Sequence, residues 1–429
     1  MPLALAVRGQ SHPWPSSTQA TAGNAEGFPG RRRPHPVADH VIHGLLDKPA
    51  NMIVNKCLAI VIVAVAVAAA APADAAQPAR LLVVTVTAGF RHASIPTAEA
   101  ALEEIGRASG LYHLDYLRMP PGRAPQPQAP KRAADTGDDD WRKQEEAFKV
   151  EQEKFRAAEV VWQAGLKEQF ARAFAPESLA NFDGVIFAST TGELPIPDIA
   201  AFLDWIRSGK AFVGFHAATD TLKASDAYCD MVGGHFAGHP WNGSGQHAFV
   251  VHEPSHPLTA MLPERLRWQD EIYQYDLRYK PENLRVLVSL DMQASWPQEP
   301  WHVPVSWVRG YGKGRVFYTN FGHNESTWRE PRLRKHMEEG VAWALGRREA
   351  PSDPNPGVQA AEYLRSVVAA AAAAAGKNAD DLRAQADGKI ARDPQWAESL
   401  RPLLLQLREL TGEARGPVYA QVIAEIQKP

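Results

Sequence analysis

Four histidines and a pair of adjacent acids fall where a chain of this kind would place reactive groups. In Gly214-Phe215-His216-Ala217-Ala218-Thr219-Asp220 an apolar run ends directly in a histidine flanked by small residues. Such residues permit a sharp strand-to-helix turn that thrusts the middle side chain over the sheet edge. Gly233-Gly234-His235-Phe236-Ala237-Gly238-His239-Pro240 places two histidines four apart. That spacing suits metal ligands on a helix face, although the glycines and the proline argue for a loop here. Asp270 and Glu271 stand between Trp268 and Ile272-Tyr273, where an acid is costly unless it is paired or functional. One of the two is expected to act as base or ligand and the other to orient a neighbouring histidine. His323 follows Tyr318-Thr319-Asn320-Phe321-Gly322, again just past an apolar run.

The elements that must position these groups alternate. Residues 80–87 form a β-branched run, and helical spacing of Ala98, Leu102 and Ile105 follows over 95–109. Tyr112 to Leu117, Phe182 to Ala188 and Ala211 to Phe215 read as further strands, and Ile196 to Ser208 reads as a helix closed by Gly209. Strands and helices in alternation predict a mostly parallel sheet with helices on both faces, which gathers ligands at the carboxyl ends of its strands. The segment from about 120 to 174 reads as an insertion, a proline-rich flexible linker followed by a charged, solvated helix from Trp141. Residues 233–291 are loop-rich. Val305–Arg309 and Gly314–Tyr318 form a hairpin, and a helix from about Pro331 to Leu345 closes a domain spanning 80–348. A proline-rich linker then leads into residues 350–429, where the alanine run from Ala369 to Ala375 and the leucines of 400–410 predict a helical appendage.

Composition narrows the function classes. A formal net charge of -3 provides no field for a polyanion, so nucleic acid is excluded as a partner. Residues 52–75 carry the marks of a signal peptide: Lys56, an apolar run from Leu58 to Ala71, and Ala73-Asp74-Ala75 as a cleavage site. The run is shorter than the ~20 residues a bilayer span needs, so no stable anchor is expected after cleavage, and the mature protein is expected to be periplasmic or secreted. Residues 1–51, rich in Pro, Arg, His, Gly and Ser, read as a non-native or disordered extension. Of the two cysteines, Cys57 lies in the signal, leaving Cys229 without an internal partner.

Taken in order, Val213–Asp220, Gly233–Pro240, His256–Leu258, Asp270–Tyr273, Tyr311–Tyr318 and Gly322-His323 resemble the pattern of the trehalose-utilisation (ThuA-like) family over roughly Arg80 to Gly346. The resemblance implies a flavodoxin-like fold of the class I glutamine amidotransferase type. His216 stands where amidotransferases carry their nucleophilic cysteine, so the acyl-enzyme route is closed and the chain is not expected to be a glutamine amidotransferase. The resemblance also implies a small-molecule carbohydrate as substrate, a disaccharide or its keto-glycoside derivative. A keto-sugar has an acidic proton beside its carbonyl, so the enzyme expected is an isomerase, lyase or hydrolase. His216, His239, Glu271 and His323 are the expected catalytic residues, and Asp220, His235, Trp241, Asp270 and Tyr273 the expected substrate-binding ones. A divalent metal such as zinc would be held by some of His216, His235, His239, Glu271 and His323. The rival expectation is a non-catalytic periplasmic sugar-binding module whose Trp241, Trp268, Tyr273, Trp296 and Trp301 stack on sugar faces. A homo-oligomer is the remaining partner expectation.

Overall fold

The computed structural model describes residues 77–429; the expected signal at 52–75 and the extension at 1–51 lie outside the described residues. Eleven strands form: β1 (Ala79–Val84), β2 (Tyr112–Leu117), β3 (Gly184–Ala188), β4 (Ala211–Phe215), β5 (Phe236–Trp241), β6 (Gln246–Val251), β7 (Arg265–Gln269), β8 (Ile272–Tyr275), β9 (Arg285–Leu290), β10 (Pro304–Tyr311) and β11 (Gly314–Thr319). Nine make one sheet in the order β2-β1-β3-β4-β11-β10-β9-β6-β7. The first five of that order run parallel, as a flavodoxin-like sheet does, and β10, β9, β6 and β7 extend it with antiparallel pairings. β5 and β8 pair separately as a two-stranded ribbon.

The central strands are apolar on both faces because both faces are covered. Leu81 and Val83 of β1 point into a core shared with helices Ile95–Ser109 and Pro331–Ala344. Leu82 and Val84 point the other way, into a core shared with Phe170, Phe202 and Met231 of three further helices. Two layers of helix thus fix the parallel strands, whose carboxyl ends lie along one edge.

Three expectations need correction. Residues 236–241 are a strand and not a loop: β5 is tolerated with its glycine and proline because it is one edge of a two-stranded ribbon with two register shifts. The insertion is less loose than its composition implies. Its helix, Asp138–Ala173, carries Trp141, Phe148, Phe155 and Trp162 at sevenfold spacing on one stripe. The proline-rich segment lies back against that helix: Arg123 pairs with Glu159 at 2.8 Å and stacks 4.6 Å above Trp162, whose indole donates to the Pro120 carbonyl. The leucines of 400–410 do not share one helix: Leu400 caps the short helix Pro394–Ser399, Leu403, Leu404 and Leu405 belong to a second short helix, Arg401–Leu405, and Leu407 lies in a 3-10 turn.

The C-terminal helices, led by Pro356–Ala374, build their own core around Leu364, Val368, Leu404 and Val422 and dock on the sheet of the same chain. The Asn355 side-chain amide accepts from Val286 N at 2.8 Å and donates to Val286 O at 2.9 Å, acting as the missing strand neighbour of β9. Trp301 stands between the Arg408 and Arg415 guanidinium groups. Among the described residues no helix is long and apolar enough to cross a membrane.

Candidate functional site

β4 ends at Phe215 and the chain turns at once into a 3-10 turn, His216–Asp220. His216 itself adopts φ 48°, a left-handed conformation rare for a residue with a Cβ and costing on the order of 1–3 kcal/mol. The residue is held at its carbonyl and at its ring. The Tyr318 hydroxyl donates to the His216 carbonyl at 2.6 Å, the imidazole Nδ1 lies 2.9 Å from the Asn320 carbonyl, and Asn320 is in turn fixed by accepting from Tyr273 N. A carbonyl can only accept, so Nδ1 carries the proton and Nε2 presents a lone pair.

That lone pair faces three other donors. His216 Nε2 lies 3.2 Å from His92 Nε2, 3.3 Å from His323 Nδ1 and 3.6 Å from Glu271 Oε2; His323 Nδ1 lies 3.1 Å from the same Glu271 oxygen. All four ligand atoms fall within 4.8 Å of one another. His92 follows β1, His216 follows β4 and His323 follows β11, so three parallel strands deliver one imidazole each at their carboxyl ends. Glu271 comes from the short link between β7 and β8.

Electrostatics set His92, Glu271 and His323 apart from ordinary surface groups. Burial, with His216 and His323 beside it, holds His92 down to about 3, so it is neutral at physiological pH. Burial alone would raise Glu271, but the neighbouring His216 and His323 outweigh it and hold the carboxyl well below its usual range. His323 moves up, because Glu271 and Asp270 outweigh its own burial. The result is a fixed carboxylate among close imidazoles whose lone pairs repel unless a proton or a cation lies between them.

The donor set fits a divalent cation. Ligand bonds of about 2.0–2.1 Å in a tetrahedral shell separate neighbouring ligand atoms by about 3.3 Å, close to the 3.1, 3.2 and 3.3 Å that separate three of the pairs here. Nitrogen and carboxylate donors together suit zinc and similar ions.

The remaining expected residues divide. His239 sits at the rim, 55% exposed in its side chain, with Nδ1 3.3 Å from Glu271 Oε1. Tyr273 is buried beneath the cluster, its hydroxyl 3.5 Å from His92 Nε2 and its ring 4.6 Å from that of His216. Asp270 has no exposure for substrate contact; it accepts from Gly322 N, Asn324 N and the Thr327 hydroxyl at 2.7–2.9 Å and so fixes the loop that carries His323. His235 is not brought into the cluster. Its ring is held 2.7 Å from Asp276, beside Arg278. Asp220 likewise pairs with Lys223 at 2.9 Å. Of the expected sugar-stacking aromatics, Trp241 is buried with its indole donating to the Pro297 carbonyl, Trp268 is half-buried and donates to Thr327, and Trp301 is covered by the two arginines. Trp296 stays exposed.

His92 is the member of the cluster that sequence reasoning missed. Its signal was available, a histidine in a glycine-bearing loop after an apolar strand, but it stands well past the end of β1, whereas His216 follows β4 directly. Two glycines make the approach of the His323 loop possible. Gly322 takes φ 134°, and a Cβ on Gly243 would stand 2.7 Å from His323 Cδ2.

Against known proteins, the family described as trehalose utilisation (ThuA) matches residues 80–344. Among solved structures, a ThuA-like protein from Bacteroides uniformis is 18% identical, with 64% of this chain and 95% of that one covered and a TM-score of 0.42. A ThuA-like protein from Parabacteroides merdae is 15% identical, with 64% and 94% covered and a TM-score of 0.41. An exo-beta-1,4-mannosidase from an Opitutaceae bacterium is 9% identical, with 62% and 36% covered and a TM-score of 0.32. No curated protein matches the sequence. The family match spans more than half of the chain and contains all four converging donors, and the chain belongs to the ThuA, or trehalose utilisation, family.

Proposed function

We propose that the chain is an exported enzyme that acts on a disaccharide or its keto-glycoside by histidine and glutamate acid-base chemistry, with a divalent cation held by His92, His216, Glu271 and His323. The observation that carries the reading is the convergence of three imidazoles and one carboxylate within 4.8 Å at the carboxyl edge of the sheet. When bound, the cation supplies a Lewis acid that polarises a sugar carbonyl or hydroxyl. The chain's own groups do the rest. His239 Nδ1 leans on the free Glu271 oxygen, which favours the tautomer with its proton on Nδ1 and leaves Nε2 basic at the exposed rim. A base so placed can take the acidic proton beside a keto-sugar carbonyl and return it elsewhere, as isomerisation or elimination requires. Export rests on residues 52–75.

The test is metal content and keto-glycoside turnover on the purified protein, beside His216→Ala and His239→Ala. About one equivalent of metal, lost in His216→Ala, is expected, together with solvent deuterium entering the sugar in the parent and a loss of turnover of about 10²–10⁴-fold in His239→Ala with metal retained. Metal-free protein that turns over no keto-glycoside yet binds sugar would replace this reading with the non-catalytic binding module.

A further inference from the structure

β9 and β11 are both antiparallel to β10, so the carboxyl end of β9 opens on the same sheet edge as the histidines. The loop that leaves it, residues 291–303, carries Trp296 at 80% exposure, the highest of any large apolar side chain among the described residues. An indole left in water on a tied loop forgoes the burial that makes tryptophan worth having. The loop is tied: Ser295 Oγ accepts from Ala248 N at 3.0 Å, and the Pro297 carbonyl accepts from Trp241 at 2.8 Å.

Trp296 borders a cleft of about 320 Å3 between this loop and the C-terminal helices. Gln293, Gln298 and Glu299 line it from the loop, Arg415 and Tyr419 face them from the helices, and the floor is the small side chains of the alanine run. Both glutamines spend their amide nitrogens on backbone carbonyls, of Arg365 and of Gln293, which leaves the amide oxygens to accept. The Glu299 carboxylate, half-buried, makes no hydrogen bond or ion pair with any described residue; burial pushes it up, against Arg415. An aromatic face beside several open acceptors is complementary to a ring with an apolar face and a rim of hydroxyl donors. A carboxylate among the acceptors disfavours an anion. The volume lies at the small end of ligand pockets, about 300–1,000 Å3, which suits one sugar ring.

We infer that the cleft between the 291–303 loop and the C-terminal helices is a second carbohydrate subsite, with Trp296 stacking on a pyranose ring and Glu299 accepting from its hydroxyls. It is separate from the histidine centre but mechanically joined to it, since the Trp241 that holds Pro297 pairs across the ribbon with Ile272, the neighbour of Glu271. The appendage thereby acquires a purpose as the second wall of a binding site. The inference rests on the carbohydrate reading above only for the choice of probes.

The experiment titrates trehalose, maltose, cellobiose and lactose into the full chain and follows tryptophan fluorescence and saturation-transfer NMR, with and without a chelator. At least one sugar is expected to bind saturably in the millimolar range, chelator or not, and to bind tenfold or more weakly to Trp296→Ala and to Glu299→Ala, with circular dichroism and metal content unchanged. Binding to Trp296→Ala equal to the parent's, or saturable binding of none of the four sugars by the parent, overturns the subsite. Metal and turnover are scored separately. Trp296-dependent binding in a protein without either would sink the proposed enzyme and leave the subsite standing, while turnover with no dependence on Trp296 in binding or KM would do the reverse.

Discussion

Asp270 and Glu271 are neighbours in the chain with divided duties, and the division is testable one side chain at a time. Asp270 spends its carboxylate on two backbone N–H groups and a hydroxyl of the His323 loop. Asp270→Asn replaces one acceptor by an amide donor facing a donor, so it should cost about 1–3 kcal/mol in urea unfolding and weaken metal binding about 10–100-fold in a competition titration. Gly243→Ala acts by crowding instead. Its Cβ would meet His323 at 2.7 Å, so turnover should fall by up to about 10²-fold while the melting temperature barely moves. Unchanged turnover would mean that His323 does not need its observed place. At this scale His216, Glu271 and His323 were legible in the sequence because strand ends, glycines and aromatic neighbours marked them. His235 was misread for a reason internal to folding: its partners Asp276 and Arg278 arrive from about forty residues downstream, and no local pattern announces a pairing made by chain return.

At the scale of elements, helix Ile95–Ser109 and the β10–β11 hairpin follow from periodicity and turn residues, because each pairs much of its backbone within a short stretch of sequence. The proline-rich strap did not follow, since an extended segment without internal hydrogen bonds takes its order from the helix it lies on. Two substitutions apportion that order. Trp162→Ala should cost about 3–5 kcal/mol, the indole being buried against the domain. Arg123→Ala should cost under about 1 kcal/mol, because the Arg123–Glu159 pair is partly exposed, yet it should open residues 121–137 to limited proteolysis. Equal protease resistance in parent and variant would show that the strap does not depend on this stack. β5 was hidden by its own composition, as glycine and proline are permitted only because the ribbon has open edges.

Across the whole molecule, the sheet and the appendage hold one another. Asn355→Ala leaves Val286 N and O without the partner that completes β9, and a loss of about 1–3 kcal/mol in denaturant unfolding is expected. The cores also predict a pH response. Burial holds His336 down to about 4, its bond to the Leu258 carbonyl notwithstanding, and pushes His252 to about 4 as well. A histidine whose folded value is depressed takes up its proton first in the unfolded chain. Its contribution is therefore complete above the ordinary histidine value of 6.5 and is lost as pH falls from there towards about 4. His336 alone should account for roughly 2 kcal/mol between pH 7 and pH 5, seen as a falling urea midpoint, and His336→Asn should flatten that fall. A midpoint independent of pH over this range would show the buried imidazoles already protonated or solvated.

The four converging donors come from positions 92, 216, 271 and 323, spread along almost the entire family-matched span. A ribosome delivers them in that order, and until β11 has emerged the nascent chain owns three and lacks the strand that joins β4 to β10, because β11 lies between those two and precedes His323 by only a few residues. The centre is thus among the last features of the sheet to exist during synthesis, ahead only of the helices that follow it. A metal taken up by the finished centre reports a completed fold, while one caught earlier would have to be surrendered before the sheet could close.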